Sequence, residues 1–249
     1  MPGVPDVSAG RGQMPPLKRV GHKGADSVAP GNTLASFDAA REHGVDMIEF
    51  DVLRLRDDRL VLAHDYHDGE RPDALTLEEG LHHFAGEAYA DVELNVDLKL
   101  PGYEREVLDG LQARSLGERA LISSNYIESI DLIGRLAPGQ RRGLSVPKLV
   151  SDPTKSAWKK PLALVAAAVA RRLLPIRAGR MLRAGRFEAL MVHWRLVSPR
   201  LIGAVHDAGG QIYVWTVDDA DQIEGLSALG VDGVISNDPR LFGPPDPPS

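Results

Sequence analysis

The stretch that decides the fold is Met47-Ile48-Glu49-Phe50-Asp51-Val52, in which apolar and acidic residues alternate. Successive side chains of a β-strand point to opposite faces, so the apolar residues share one face while Glu49 and Asp51 share the other. Such a strand is expected in a barrel of parallel strands surrounded by helices. Its apolar face would contact the helices, and its two carboxylates would point into the barrel.

A second stretch, Leu94-Asn95-Val96-Asp97-Leu98-Lys99, repeats the arrangement. Its apolar residues share one face, and Asp97 and Lys99 lie on the other together with Asn95. Charged groups that point into a barrel need partners or a metal ion. One interpretation is a structural network in which Lys99 pairs with the carboxylates. The other is a divalent cation, which the excess of three acids over one base favours.

Short apolar segments alternate with helical stretches, which is the pattern of repeated βα units. Eight segments are predicted as strands: Arg19–His22, Met47–Leu53, Leu94–Lys99, Ala120–Ser124, Arg142–Val146, Ala189–His193, Ile212–Thr216 and Gly233–Ser236. Eight parallel strands close a (β/α)8 barrel, whose usual size is about 250 residues. The 249 residues therefore predict an α/β fold, a TIM barrel spanning residues 17–243 as one domain, between a flexible leader (1–16) and a flexible tail (244–249).

Two departures from a plain barrel are predicted. Arg59–Ala63 has the pattern of a strand, but the link at 56–58 is too short for a parallel crossover, so we expect an antiparallel hairpin with the second strand. Residues 65–91 then form a small insertion, helical around Leu75–Phe84. A longer, basic insertion at residues 147–186 follows the fifth predicted strand.

Two histidines stand at the ends of predicted strands. His22 ends the first strand, in Gly21-His22-Lys23-Gly24, and His64 ends the hairpin, in His64-Asp65. Active sites of (β/α)8 barrels occupy the C-terminal ends of the strands, where both histidines are expected. Two histidines beside paired carboxylates suit general acid and general base catalysis.

The absence of cysteine narrows the chemistry further. It excludes a disulfide framework, a thiolate nucleophile and a cysteine-bound zinc ion. A metal must then be bound by carboxylates, histidines or carbonyl oxygens. A carboxylate-rich set favours hard cations such as Mg²⁺ or Ca²⁺.

Several short motifs occur in a characteristic order. They are Gly21-His22-Lys23-Gly24, Pro30-Gly31-Asn32-Thr33-Leu34, Ile48-Glu49-Phe50-Asp51-Val52, His64-Asp65, Val96-Asp97-Leu98-Lys99, Val214-Trp215-Thr216-Val217-Asp218 and Gly230-Val231-Asp232-Gly233-Val234-Ile235. Together they resemble the glycerophosphodiester phosphodiesterase family, over residues 18–140 and 188–241. The resemblance implies a (β/α)8 barrel enzyme that hydrolyses phosphodiesters.

The resemblance also implies roles for individual residues. It implies that Glu49, Asp51 and Asp97 bind one divalent cation, Mg²⁺ or Ca²⁺. His22 and His64 would be the acid–base pair, one deprotonating the attacking oxygen and the other protonating the leaving alcohol. Family precedent allows a hydroxyl of the substrate itself to attack first, through a cyclic phosphate.

Further residues would bind the substrate. The resemblance implies that Lys23 and Lys99 stabilise the phosphate and that Trp215 lines the pocket, although Trp215 suits core filling equally well. His193 and Trp194, at the end of the sixth predicted strand, are expected to be structural.

The sequence departs from the family pattern at four positions. The usual Arg after the first His is Lys23, which keeps the charge but loses bidentate phosphate recognition. The usual Glu of the Pro-Glu-Asn-Thr block is Gly31, and the third metal ligand, usually Glu, is the shorter Asp97. The block that usually ends in Thr-Asp reads Ser236-Asn237. Asp97 with Lys99 resembles the corresponding block of sphingomyelinase D-type phospholipases, which share the barrel, so a lysophospholipid becomes a candidate substrate.

Basic residues are concentrated between residues 141 and 186, a segment with 12 Lys or Arg and one acid, Asp152. Within it, Pro161 is expected to begin a helix and Pro175 to end it. Cationic flanks around an apolar centre suit a helix that lies at a membrane interface. Residues 155–186 would then contact anionic lipid and admit a lipid substrate. The alternative is a cap helix packed over the barrel rim.

The whole chain is acidic, with a formal net charge of −6, and its composition is that of a globular protein. The N-terminal residues lack the apolar core of a signal peptide, and the longest apolar run, Leu162–Ala170, is far shorter than the roughly 20 residues that span a bilayer. We expect a cytoplasmic protein with peripheral contact at the inner membrane surface. Nucleic acid is not expected as a partner, because the basic residues lie on one apolar segment without interleaved aromatics.

The leading prediction is metal-dependent hydrolysis of glycerophosphodiesters or lysophospholipids. One alternative keeps the fold but cleaves a choline or ethanolamine head group, as phospholipase D-type enzymes do. Another is a catalytically weak barrel that only binds phosphates or membranes, against which both histidines and all three acidic positions argue.

Overall fold

A computed structural model describes residues 16–147 and 160–243 of the chain. The predicted leader (all but its last residue), the predicted tail and residues 148–159 of the basic segment lie outside the described residues. Side chains are described from Arg171 onward in the second of these ranges.

The core of the structure is a closed barrel of eight parallel strands. The strands are β1 Lys18–Gly21, β2 Met47–Arg54, β4 Glu93–Leu98, β5 Ala120–Ser124, β6 Arg141–Val146, β7 Ala189–His193, β8 Gln211–Trp215 and β9 Gly233–Ser236. The barrel closes because β1 pairs in parallel with both β2 and β9. The short β3, Leu60–Val61, pairs antiparallel with the end of β2. The predicted TIM barrel and its hairpin are therefore confirmed.

Eight helices surround the barrel in the described part of the chain. They are α1 Leu34–Glu42, α2 Tyr66–Gly69, α3 Leu77–Phe84, α4 Glu104–Ala113, α5 Ile127–Leu136, α6 Lys160–Arg183, α7 Pro199–His206 and α8 Ala220–Leu229. Local sequence sets their starts, since Thr33, Thr76, Ser198 and Asp219 each accept a backbone N–H at a helix N-terminus. The segment predicted as an insertion, 65–91, supplies α3, the crossover helix between β2 and β4.

The inward-facing side chains change from apolar to acidic along the strands toward the C-terminal mouth of the barrel. Outward residues such as Ile48 and Phe50 are fully buried against the helices. Inward residues near the strand starts form an apolar plug: Val20, Met47, Leu121, Ala189, Met191, Tyr213 and Ile235. Further along the same strands, the inward residues of β2 and β4 are Glu49, Asp51 and Asp97. The acidic site residues therefore lie at the C-terminal mouth of the barrel, while Lys18, Glu93 and Arg141 form a separate ion-pair group at its N-terminal end.

The basic segment forms a longer helix than expected. The prediction that Pro175 ends the helix is wrong, because α6 continues through Pro175 to Arg183. A proline inside a helix removes one hydrogen bond and kinks the chain, at a cost of about 3 kcal/mol. Packing compensates here, because α6 lies along α7 and buries Ala178 and Leu182.

Within residues 16–147 and 160–243, no helix is long and apolar enough to cross a membrane.

The aromatic contacts under α3 give a test of the fold. The Phe84 side chain is fully buried, with its ring centroid 4.7 Å from that of Phe37 and 5.1 Å from that of Phe50. Phe84→Ala should lower the free energy of unfolding by about 3–5 kcal/mol, because it leaves a cavity in a packed layer. Chemical denaturation measures this loss. Leu229→Ala, at a side chain that is 48% exposed on α8, is the matched control and should change stability by less than about 0.5 kcal/mol.

Candidate active site

A cavity of about 330 Å³ opens at the C-terminal mouth of the barrel. Seven of the eight predicted site residues line it: His22, Lys23, Glu49, His64, Asp97, Lys99 and Trp215. The eighth, Asp51, is fully buried next to it. Residues from five different strands (β1, β2, β3, β4 and β8) or the loops that follow them thus meet in one place. This is the position of the active site in (β/α)8 enzymes.

Three carboxylates form the floor of the site. Glu49, Asp51 and Asp97 are all buried, and each offers an oxygen within 4.8 Å of the others. The β-sheet register explains their proximity, because Asp51 of β2 lies directly beside Asp97 of β4. The three predicted metal ligands are therefore brought together by strand pairing alone.

Donors from the loops after β1 fix two of these carboxylates. The backbone N–H of Lys23 donates to Glu49 Oε2 at 2.9 Å. The Asn32 amide donates to Asp51 Oδ2 at 3.0 Å and accepts from the Asp51 backbone N–H at 3.1 Å. Lys23 and Asn32 both adopt positive φ, 51° and 58°, which turns the chain back over the strand ends. The turns that follow β1 thus place hydrogen-bond donors on the carboxylates of β2.

Lys99 lies between the acidic groups. Its Nζ pairs with Asp97 Oδ2 at 2.7 Å and with Asp51 Oδ1. Burial acts to lower the pKa of Lys99, but the carboxylates of Asp51 and Asp97 outweigh it and raise that pKa. Lys99 is therefore a permanent cation that offsets part of the acidic charge.

One ammonium does not balance three carboxylates. Burial, followed by repulsion from Asp51, raises the pKa of Glu49 well above its usual range. Burial would also raise the pKa of Asp51, but attraction to Lys99 outweighs it and the pKa is lowered. The site therefore holds more buried negative charge than its own cation can neutralise. A cluster of carboxylate oxygens with surplus negative charge fits a hard divalent cation.

An amide oxygen beside the triad is also free to accept a bond. Asn95 is buried and lines the cavity, and its Oδ1 has no hydrogen-bond partner among the residues the structure describes. A buried acceptor without a partner costs about 1–3 kcal/mol, so a donor or a cation at this end of the barrel would be stabilised. This observation agrees with the charge imbalance.

His22 is held in one tautomer by a relay of two side chains. Its Nδ1 lies 2.6 Å from Asn237 Oδ1, while Asn237 Nδ2 donates to Asp218 Oδ2 at 2.6 Å. Because the amide nitrogen faces Asp218, the amide oxygen must accept from His22 Nδ1–H. The unprotonated Nε2 then faces the cavity, 3.8 Å from Glu49 Oε2. Burial lowers the pKa of His22, which favours the neutral ring that a general base requires.

His64 occupies a different environment at the cavity rim. Its side chain is exposed, and its Nδ1 lies 3.6 Å from the Asp65 carboxylate. Asp65 in turn accepts the backbone N–H of Asp68 at the start of α2. One histidine of the pair is thus enclosed and the other is open to solvent, an asymmetry that suits different catalytic roles.

Aromatic side chains form the opposite wall. Trp215 lines the cavity and also packs on the apolar plug. The His193 ring meets Trp215 edge to face at 5.2 Å and stacks on Trp194 at 5.6 Å. His193 and Trp194 therefore support the wall from outside the cavity lining.

Sequence reasoning missed several polar residues of the site. Asn32, Ser123, Ser145, Asp218 and Asn237 hold the predicted residues in place. For Ser123 a signal was available, since it follows the inward parity of β5 and lies beside Asp97 in the sheet register. For the Asn237 relay, the motifs marked Asp218 and Asn237 but not their contact with His22, which forms only when the barrel closes.

Known proteins resemble this chain in sequence. The sequence model of the glycerophosphoryl diester phosphodiesterase family matches residues 22–73 and 76–241. A glycerophosphodiester phosphodiesterase of Caldanaerobacter subterraneus subsp. tengcongensis is 26% identical over 261 residues, covering 90% of this chain and 95% of the relative. A glycerophosphodiester phosphodiesterase of Bacillus altitudinis is 24% identical, covering 88% and 93%.

A solved structure supports the fold independently. An Oleispira antarctica phosphodiesterase, in complex with the product sn-glycerol-3-phosphate, matches with a TM-score of 0.67 at 22% identity, covering 90% of this chain and 94% of that chain. The barrel fold and the matching family model together define a phosphodiesterase of the (β/α)8 class. The chain belongs to the glycerophosphoryl diester phosphodiesterase family.

The Asn237 relay gives a test of the site geometry. Asn237→Ala removes the acceptor that fixes the His22 tautomer. The value of kcat should therefore fall by roughly 10²-fold, the lower end of the effect expected when a general base is lost. KM should change little, because Asn237 does not line the cavity. Steady-state kinetics on a glycerophosphodiester measures both values, and thermal unfolding checks that the variant is folded. A folded variant with unchanged kcat would contradict the assigned relay.

Proposed function

We propose that the protein hydrolyses glycerophosphodiesters by acid–base catalysis between His22 and His64, beside one divalent cation held by Glu49, Asp51 and Asp97. The observation that carries the proposal is the shared cavity. It contains an enclosed neutral histidine, a solvent-open histidine and a buried excess of carboxylate. Mg²⁺ and Ca²⁺ both suit the all-oxygen donor set.

The two histidines divide the proton transfers. His22 Nε2 takes the proton of the attacking hydroxyl, either of water or of the substrate itself, as that oxygen forms its bond to phosphorus. His64 gives a proton to the oxygen of the leaving alcohol as the other phosphorus–oxygen bond breaks. A bound cation would polarise a phosphoryl oxygen and offset the charge of the transition state.

Two lysines face the phosphate position. Lys23 lines the cavity, and its Nζ is 3.5 Å from Asp26 Oδ2, a loose contact that leaves it able to bind an anion. Lys99 contributes positive charge from the floor of the site, where it also neutralises Asp51 and Asp97. We assign Lys23 to direct phosphate binding and Lys99 to electrostatic support of both the carboxylates and the phosphate.

The cavity supports a small glycerol-containing substrate first. Its volume of about 330 Å³ lies at the lower end of the range for small-molecule sites. A lysolipid is the second candidate, since the cavity wall of Trp215, Met191 and Pro147 gives an apolar side along which an acyl chain can lie. Head-group cleavage of the phospholipase D type would use the same site, and it is separated from glycerophosphodiester hydrolysis by whether turnover requires the acyl chain of a lysophospholipid.

The exposed face of α6 supports contact with anionic lipid. Leu173 is 47% exposed and Ile176 is 50% exposed, which is unusual for large apolar side chains on a surface helix. The exposed Arg172, Arg177 and Arg180 flank them, and none has an acidic partner within the described part of the chain. An apolar patch bordered by unpaired cations suits a membrane interface. The proposed location is accordingly the cytoplasm, at the inner membrane surface.

The catalytic proposal is tested by turnover of glycerophosphocholine and lysophosphatidylcholine with Mg²⁺ or Ca²⁺. EDTA should abolish turnover, and His22→Ala should lower kcat by about 10²- to 10⁴-fold, because it removes the general base. His82→Ala, at an exposed histidine on α3, is the matched control and should retain full activity. Turnover that survives both EDTA and His22→Ala would rule out the proposed chemistry. Choline release from lysophosphatidylcholine without any release from glycerophosphocholine would assign the phospholipase D-type reaction on a lysolipid instead.

The lipid proposal is tested by sedimentation with phosphatidylglycerol-containing vesicles. The double variant Leu173→Ser with Ile176→Ser should bind several-fold less, since it removes the apolar contacts while leaving the buried face of α6 intact. Leu229→Ser, at a leucine of equal exposure on α8, should bind like the unchanged protein. Equal binding of the double variant and this control would remove the support for membrane contact.

A further inference from the structure

The third carboxylate of the site is bound more extensively than the other two. Asp97 Oδ1 accepts the Ser123 hydroxyl at 2.7 Å and the Ser145 hydroxyl at 3.3 Å, while Oδ2 accepts Lys99 Nζ at 2.7 Å. All three donors line the cavity, and both serines are at least nine-tenths buried. Two neutral donors from two neighbouring strands thus share a single carboxylate oxygen.

The sheet register explains how the serines reach Asp97. Ser123 of β5 lies directly beside Asp97 of β4, and Gly143 of β6 lies beside Ser123. A Cβ at Gly143 would lie 3.3 Å from Ser123 Cβ and from Met191 Cγ, so the layer has room for no further side chain there. The next inward residue of β6, Ser145, therefore reaches over Gly143 toward Asp97.

The position of Asp97 creates a geometric need for these donors. The Asp97 side chain is one methylene shorter than that of Glu49 in the same site, so its carboxylate reaches less far from its strand. A short carboxylate without support could also rotate toward Lys99 alone. Hydroxyl donors on Oδ1 fix its rotation and keep Oδ2 directed at the space beside Asp51.

We propose that Ser123 and Ser145 are positioning residues that hold the short side chain of Asp97 in place as a ligand of the divalent cation. The inference rests on the proposed function, because it requires a cation at Glu49, Asp51 and Asp97. The serines hold Oδ1, which would leave Oδ2 to bind the cation in place of Lys99. Donors that orient a ligand in this way typically change metal affinity by about 10- to 100-fold when removed.

The neighbouring Ser124 shows what a purely structural serine does in the same strand. Ser124 is also fully buried, but its hydroxyl points outward and donates to the Leu98 carbonyl at 2.8 Å. Ser124→Ala therefore removes a buried hydrogen bond of the barrel wall without touching Asp97. It is the matched control for substitutions at Ser123 and Ser145.

The test is a calorimetric titration of the purified full-length protein with Mn²⁺. Ser123→Ala should raise the Kd for Mn²⁺ by about 10- to 100-fold, and Ser145→Ala by less, because its contact is longer. Ser124→Ala should leave the Kd unchanged even if it lowers the melting temperature. An unchanged Kd in folded Ser123→Ala would overturn the inference and leave the proposed function standing.

A second background separates ligand positioning from general stability. Asp97→Glu lengthens the side chain by one methylene, which should move its carboxylate away from the serine hydroxyls. Ser123→Ala should therefore raise the Kd for Mn²⁺ less in the Asp97→Glu background than in the unchanged protein. An equal increase of the Kd in both backgrounds would overturn the inference that the serines act by holding the short side chain of Asp97. If the unchanged protein bound no Mn²⁺, or bound it equally well after substitution of Glu49, both the proposed function and this inference would be contradicted.

Discussion

The constraint on which the site depends is the burial of three carboxylates around one ammonium group. Removing an ion from water costs several kcal/mol unless partners compensate. Lys99 pairs with Asp51 and Asp97 and so offsets the cost of burying them. Burial raises the pKa of Glu49, so for this group the cost is not fully offset. A barrel that only needed to be stable would fill this mouth with apolar side chains, such as those that form the apolar plug beneath it. The buried charge therefore indicates selection for binding or catalysis.

The surrounding polar residues follow from that constraint. Each carboxylate has its own fixed donor: the Lys23 backbone for Glu49, the Asn32 amide for Asp51 and the serine hydroxyls for Asp97. These donors come from the loop after β1 and from strands β5 and β6, so the acidic floor depends on barrel closure. Function and fold are coupled here, because a change of strand register would separate the carboxylates from their donors.

The sequence predicted the barrel strands to within one residue, because alternating parity and short apolar runs are local signals. It also predicted the inward carboxylates, since parity alone decides which face they occupy. Local signals failed where tertiary packing decides, as in α6, which continues past Pro175 because Ala178 and Leu182 gain burial against α7. The relay through Asn237 could not be predicted either, because its partner His22 is distant in the chain and becomes its neighbour only when β9 pairs with β1.

The central claim, that the acidic floor is a cation site, is tested most directly by anomalous diffraction from crystals soaked in Mn²⁺. The account predicts one anomalous peak in contact with Glu49, Asp51 and Asp97, with Lys99 displaced from at least one carboxylate. A mouth without a peak, in which Lys99 still bridges Asp51 and Asp97, would contradict the claim and favour a purely structural ion-pair network.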